Sequence, residues 1–362
     1  MNAQYVEEVR IPVKRENAEQ YVLLSLVSFA ASVLLTRLFL ELTGYPQIGN
    51  SELHIAHVLW GGLLLFIAAL VPLIFANRWA YTLGALLSGV GVGLFIDEVG
   101  KFITQSNDYF YPAAAPIIYA FFLLTVFVYL QVRRPPTRDP RAELYRVLDS
   151  LTEVLDHDLD AQERAGIEER LNYIVEKAED ANVAQLAREI QDFINHKDLY
   201  LTEETPNFFQ RILKQVRATA HVLLSQKRLK TLLIIGMGWV SILALIKMGT
   251  LLFITFSPST AETWLTNLVN SGEVGSAREA LWFLVRLGLE GAVGMLALAA
   301  VVLLLTGREG PGIAAGILSL LLSLTTVNLL VFYLDQFSAA FGTLYQFTLL
   351  LAAKTYRRWH LL

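Results

Sequence analysis

The chain has 362 residues, is 54% hydrophobic and 17% charged, and carries a formal net charge of -4. A soluble domain carries about 25% charged residues, so this composition argues against a single water-soluble globule, and the small net charge gives no nucleic-acid signal. With no cysteine in the chain, disulfides, thiolate metal ligands and cysteine nucleophiles are excluded.

The first 19 residues are polar and mixed in charge (Glu7, Glu8, Arg10, Lys14, Arg15, Glu16). They show no short apolar core followed by a cleavage site, so they read as a cytoplasmic N-terminal segment rather than a removable signal, with the first spanning helix as its own insertion signal. Apolar runs longer than the roughly 18 residues that suggest a spanning helix follow at 20–42, 53–76, 80–104 and 112–132. Pro72 and Pro116 are candidate kinks in the second and fourth. Residues 133–228 then hold 33 of the chain's 62 charged residues and read as a cytoplasmic helical domain. Asp139-Pro140 predicts a capped helix start, followed by Leu144, Val147, Leu148, Leu151 and Leu155 at helical spacing. Asp160 with Glu163 resembles a capping box ahead of Ile167, Leu171, Ile174 and Val175. Leu186, Ile190, Phe193 and Ile194 form a third stripe. Thr205-Pro206 starts a fourth helix with Phe208, Ile212, Leu213 and Val216. A second apolar set follows at 229–256, 277–306, 311–333 and 336–356.

The fold is therefore expected to be all-α. It reads as a polytopic transmembrane bundle of about eight spanning helices, four (20–132) plus four (229–362), with a small cytoplasmic helical insert. Lys and Arg cluster at 10–15, 78, 133–141, 217–230, 308 and 354–358, whereas the stretches 43–52, 105–111 and 257–275 contain none. Positive loops stay in the cytoplasm, so both termini and the insert are expected there, in the inner or plasma membrane of the cell.

Ionisable side chains in hydrocarbon cost about 3 kcal/mol or more and mark functional sites. His54 and His57 open the second spanning segment, three apart and so on one face. Asp97, Glu98 and Lys101 close the third at matching depth. Gly89, Gly93, Asp97 and Lys101 are each four apart, and the small residues allow close helix approach. Asp108 and Tyr109 stand in the loop beyond. Arg37 and Glu41, and Arg286 and Glu290, are further pairs four apart, with Asp335 and Gln336 at the turn between the last two helices.

Two imidazoles with one or two carboxylates form a ligand set for a divalent zinc, iron or manganese ion. A packed polar cluster, or a proton or ion path, uses the same residue types, and the Arg37–Glu41 and Arg286–Glu290 pairs read as structural ion pairs. Asp156-His157-Asp158-Leu159-Asp160 resembles the start of a calcium loop, but it lacks the sixth-position glycine and twelfth-position glutamate and reads as a solvated turn. Tyr109, Phe110, Tyr111 and Trp264 fit an interfacial aromatic belt. Arg211, Lys214, Arg217, Lys227 and Arg228 fit either contact with anionic lipid headgroups or ordinary positive-inside topology.

His54-Ile55-Ala56-His57 through Gly61, Leu94-Phe95-Ile96-Asp97-Glu98, and Asp108-Tyr109 together resemble an uncharacterised group of bacterial integral membrane proteins. That group carries a histidine-rich stretch, a Leu-Asp-Glu turn closing a glycine-rich helix, and an Asp-Tyr element. The likeness covers about residues 50–112, with Ala56 where the group often has a further histidine and Ile96 where it often has leucine. It implies where the site lies and carries no activity. A more distant likeness to the ceramidase-like membrane hydrolases is an analogy, since their His-x-x-x-His spacing is absent.

Three functions are compatible with these residues. The first is a membrane protein whose outer-facing polar pocket binds a metal ion or small ligand, with membrane lipid as its surroundings and residues 133–228 as the docking place for a cytoplasmic protein. The second is a metal-dependent hydrolase acting on lipid at the outer leaflet, with His54, His57 and Asp97 as ligands, Glu98 as general base and Lys101 as electrostatic stabiliser. The third is a proton- or cation-coupled transporter using Asp97, Glu98 and Glu290.

Overall fold

The computed structural model describes residues 12–44, 56–135, 138–157, 159–196, 225–256 and 277–361. Among them every regular element is helical. Among the described residues seven helical stretches are long and apolar enough to cross a membrane. Their outward side chains are apolar: Leu59, Trp60, Leu63, Phe66 and Leu73 are all exposed along the single helix His57–Ile74. A water-facing helix would present charge there, so the chain is a multi-pass membrane protein. The described residues sort into two compact units, one running to Ile96 and again from Leu124 to His196, the other comprising Asp97–Leu123 and everything from Ser225 on.

The first unit contains α1 (Ala18–Thr43), α2 (His57–Ile74) and α3 (Arg78–Asp97). Small residues set their spacing. A Cβ on Gly93 would meet the Ser32 side chain at 2.6 Å, and one on Gly89 would overlap Ser28 and the Ser25 carbonyl, so α1 lies against that face of α3. A Cβ on Gly61 would stand 2.8 Å from both the Gly91 carbonyl and the Phe95 amide, so α2 touches the other face backbone to backbone. This is the close approach that small residues permit between membrane helices. Ser25 Oγ and Ser32 Oγ donate to the Ala85 and Val90 carbonyls at 2.8 and 3.1 Å. Pro72 lacks the N–H that would bond the Ala68 carbonyl. Gly84 lies against that oxygen, which a Cβ there would approach to 3.2 Å.

After α4 (Val99–Ile103) and α5 (Ala114–Val132), the described residues of the insert form three helices, α6 (Pro140–Leu155), α7 (Ala161–Lys177) and α8 (Ala181–His196). Both expected caps are present. Asp139 accepts from the Ala142 amide at 3.0 Å. Asp160 and Glu163 exchange both capping-box bonds, at 2.7 and 3.0 Å. Leu144, Val147, Ile167, Leu171, Ile174, Ala187, Ile190 and Ile194 form the core. Leu148, Leu155, Leu186 and Phe193, expected in these stripes, are exposed instead. The fourth helix expected from Thr205 lies outside the described residues.

The second flank of α6 is polar and yet buried: Glu143, Arg146, Ser150 and Glu153 recur along one side. It meets the membrane-proximal ends of the same unit. Arg15 pairs with Asp149 at 3.0 Å, and Arg78 pairs with Glu153 and donates to Ser150 at 3.3 Å. Asn77 donates to Asp156 at 2.9 Å, and Arg170 holds Glu16 through two 2.9 Å bonds. Lys14 Nζ donates to the Val132 and Arg134 carbonyls at 2.7 and 3.0 Å. The basic residues that mark topology in the sequence are therefore also the seats of the insert.

The second unit contains α9 (Gln226–Phe256), α10 (Ala277–Leu305), α11 (Glu309–Leu322), a π-helical turn (Ser323–Val327), α12 (Asn328–Asp335), a 3-10 turn (Gln336–Ser338) and α13 (Ala339–His360). Their core gathers Leu229, Leu233, Met237, Leu304, Ile313, Leu349 and Tyr356. Glu309–His360 is one helical stretch in the chain, but it folds back on itself. Gln336 takes φ 48°, and across this turn Asn328 Nδ2 donates to Thr343 Oγ1 and Gln346 Oε1, each at 2.9 Å. α5 (Ala114–Val132) begins in this unit. Pro116 falls in its first turn, where a missing N–H costs nothing, so the expected kink has no cause there. Tyr119 is buried, stacks on Phe332 at 4.5 Å and donates to the Leu324 carbonyl of the π turn at 2.6 Å.

Candidate functional site

The segment expected to be one helix over 80–104 breaks at its acidic pair. α3 ends at Asp97, Glu98 takes φ -92°, ψ 12°, and α4 (Val99–Ile103) resumes. This is the sparsely populated bridge region where many active-site residues sit. Asp97 is 0% exposed and Glu98 2%. Burial of a carboxylate is tolerated only with hydrogen bonds or opposite charge; α4 supplies the charge and the loop after it the hydrogen bond. Tyr109 Oη donates to Asp97 Oδ2 at 2.6 Å. Lys101 Nζ donates to Glu98 Oε1 at 3.0 Å and lies 5.3 Å from the centre of the Tyr109 ring.

The loop is shaped to deliver Tyr109. Thr104 Oγ1 donates to the Gly100 carbonyl and accepts from the Asp108 amide, both at 2.8 Å. Asp108 Oδ1 accepts from the Phe110 amide at 2.9 Å, an Asx turn. Asn107 takes φ 52°. The loop then passes so close over Gly100 that a Cβ there would stand 2.7 Å from the Asp108 carbonyl. Gln336 Nε2 donates to the Phe110 carbonyl at 3.2 Å, tying this loop to the α12–α13 turn.

A second ionic chain lies in the same unit. Arg286 Nε donates to Glu290 at 2.9 Å, and its two terminal nitrogens grip Asp335 at 2.6 Å each. Lys247 of α9 pairs with the other oxygen of Glu290. The Arg286–Glu290 pair expected from spacing is thus part of a four-charge relay that joins α9, α10 and α12.

The other expected residues are placed as follows. Arg37 is buried in α1, and Glu41 one turn on is exposed. His57 is the first residue of α2 and half-buried. His54 lies outside the described residues, so the expected His54–His57–Asp97 ligand set is described only in part. Among the described residues no three His, Asp or Glu side chains gather as a metal site. Asp108 builds the turn. Lys247, Tyr119 and Asn328 were not singled out from the sequence. Lys247 had a visible signal, being the one charged residue of 231–256. Tyr119 and Asn328 had none, because their partners are more than a helix away in sequence.

Compared with protein-family models, with curated proteins and with solved structures, the chain matches none of them.

Proposed function

We propose that this is a multi-pass membrane protein with eight crossings whose working centre is the acidic break at Asp97–Glu98, a binding site for a metal ion or small cationic ligand. The observation that carries the reading is the burial of two adjacent carboxylates at a helix break. Residues 97–109 hold three carboxylates and one ammonium, so the local field attracts cations. His54 and His57 would supply the nitrogen ligands that complete a site for zinc, iron or manganese. The fold-back at Gln336 supports eight crossings rather than seven. Lys14, Arg15, Arg78 and Arg134 all lie at the insert-side ends of their helices, which supports a cytoplasmic insert and N-terminus, and Arg357 and Arg358 in the last turn of α13 support the same side for the C-terminus. The acidic break then opens toward the outer face. Glu98 is already paired with Lys101, which favours a binding role for it over that of a free general base in a lipid hydrolase.

The test is elemental analysis of the detergent-purified protein beside His54→Ala/His57→Ala and Asp97→Asn variants. Near-stoichiometric metal in the wild type, lost in both variants, is the expected result. No metal in any of them, with the variants merely less heat-stable, would reduce the centre to a structural polar cluster.

A second reading, a proton or cation path, is favoured by the Lys247–Glu290–Arg286–Asp335 relay and the π turn beside it, since π bulges are frequent at functional sites. It requires that Glu290→Gln abolish charge movement across proteoliposome membranes while the protein remains folded.

A further inference from the structure

A second candidate site, independent of the acidic break, lies in the first unit. A cavity of about 420 Å³ opens between the N-terminal segment and α6, lined by Lys14, Arg15, Glu16, Arg141, Arg146 and Asp149, with Tyr145 beside them. Its volume falls within the roughly 300–1,000 Å³ range of ligand sites. Four cations and two carboxylates meet there. Asp149 is held within the lining by Arg15 at 3.0 Å, and Glu16 is taken by Arg170, which is not among the lining residues, so Lys14, Arg141 and Arg146 remain in excess. Arg146 is 8% exposed. It donates from Nη1 to Glu143 at 2.6 Å, while its buried Nη2 has no hydrogen-bond acceptor. An unsatisfied guanidinium nitrogen in such a place is costly. Lys14 spends two of its three donors on the Val132 and Arg134 carbonyls. Val132 ends α5 and α1 starts at Ala18, so the cavity stands at the ends of two spanning helices.

We propose that this cavity binds the phosphate group of an anionic ligand, with Arg141, Arg146 and Lys14 as its donors. Guanidinium forks match phosphate oxygens in pairs, and the ammonium adds a point charge. A phospholipid headgroup and a soluble phosphate present the same chemistry. The height of the cavity at the helix ends favours the headgroup, because basic clusters beside spanning helices collect anionic lipid.

The test is native mass spectrometry of the full chain in detergent, titrated separately with phosphatidylglycerol, phosphatidylcholine and inorganic phosphate. Wild type is compared with Arg141→Gln, Arg146→Lys and Arg357→Gln. Arg146→Lys keeps a cation for Glu143 but removes the second nitrogen, and Arg357, at the end of α13, is a remote control cation. Phosphatidylglycerol bound at least five-fold more tightly than phosphatidylcholine, with the preference lost in Arg141→Gln and kept in Arg357→Gln, establishes a headgroup site. Binding of inorganic phosphate with the same dependence on Arg141 establishes the phosphate site with a soluble ligand as its source. Phosphatidylglycerol affinity unchanged in Arg141→Gln, or lowered equally in Arg357→Gln, overturns the proposal and leaves general attraction to a basic surface. Should Arg146→Lys not fold, Arg141→Gln alone still decides the outcome.

Discussion

The side chain on which most buried charge depends is Arg286. Removing one partner of a buried ion pair costs about 3–5 kcal/mol because the remaining charge is stranded. Arg286→Met leaves Glu290 and Asp335 with only Lys247 between them. The loss should fall near the lower end of that range, since the Asp335 side chain is 39% exposed and partly screened. Denaturant titration in detergent should show the destabilisation, and Arg286→Met/Asp335→Leu should recover much of it. A double variant no more stable than the single one would mean that the relay does not act as a unit. Tyr109→Phe is a narrower change. It removes one donor from a fully buried carboxylate, for an expected cost of about 1–3 kcal/mol and a matching fall in melting temperature. At this scale the sequence was partly legible. Asp97 and Lys101 stood out because they continue the four-residue spacing of Gly89 and Gly93, Glu98 as a charge in an apolar segment and Tyr109 as part of the Asp-Tyr element beyond it, and the structure gathers those four around one break. The pairing within them was not legible. It depends on how Thr104, Asn107 and Asp108 turn the chain back over Gly100, and turn geometry leaves no periodic trace.

For single elements, the neighbouring glycines of α2 make opposite predictions. A Cβ on Gly61 would press on the Gly91 carbonyl and the Phe95 amide, whereas a Cβ on Gly62 meets nothing within 4 Å. Gly61→Ala should therefore force α2 away from α3 and lower thermal stability. Gly62→Ala should be neutral or raise stability by up to about 1 kcal/mol through helix propensity. Equal effects at the two positions would show that α2 does not touch α3 as described. Spanning segments were legible because twenty apolar residues in a row leave few alternatives, and α1, α5 and α10 follow the expected boundaries to within a few residues. The errors have local causes. The helix expected at 80–104 is interrupted where two buried carboxylates must find partners off the helix axis. Leu148 and Leu155 left the core of the insert because α6 turns a polar flank, rather than its whole apolar arc, toward its neighbours.

In the whole first unit, the insert is tied to the ends of the spanning helices by a run of charged contacts. Ionic contacts weaken with salt; the Arg15–Asp149 pair is open to it, whereas the Arg78–Glu153 pair is largely sheltered. Arg78→Gln should strand Glu153 and open α6, seen as faster amide hydrogen exchange in α6 than in the α7 core, with the gap widening at high ionic strength. Uniform exchange throughout the insert would place the weak point in its own core instead.

The seats of the insert also dictate an order of assembly. Arg15, Glu16, Asn77 and Arg78 all precede α6 in the chain, so they are already in place when α6 leaves the ribosome, and the first unit can close during synthesis. Tyr119 must wait, because its acceptor at Leu324 comes 205 residues later. The loop that supports Asp97 waits as well for Gln336. A chain truncated after residue 225 would therefore have its insert seated and its acidic break unfinished.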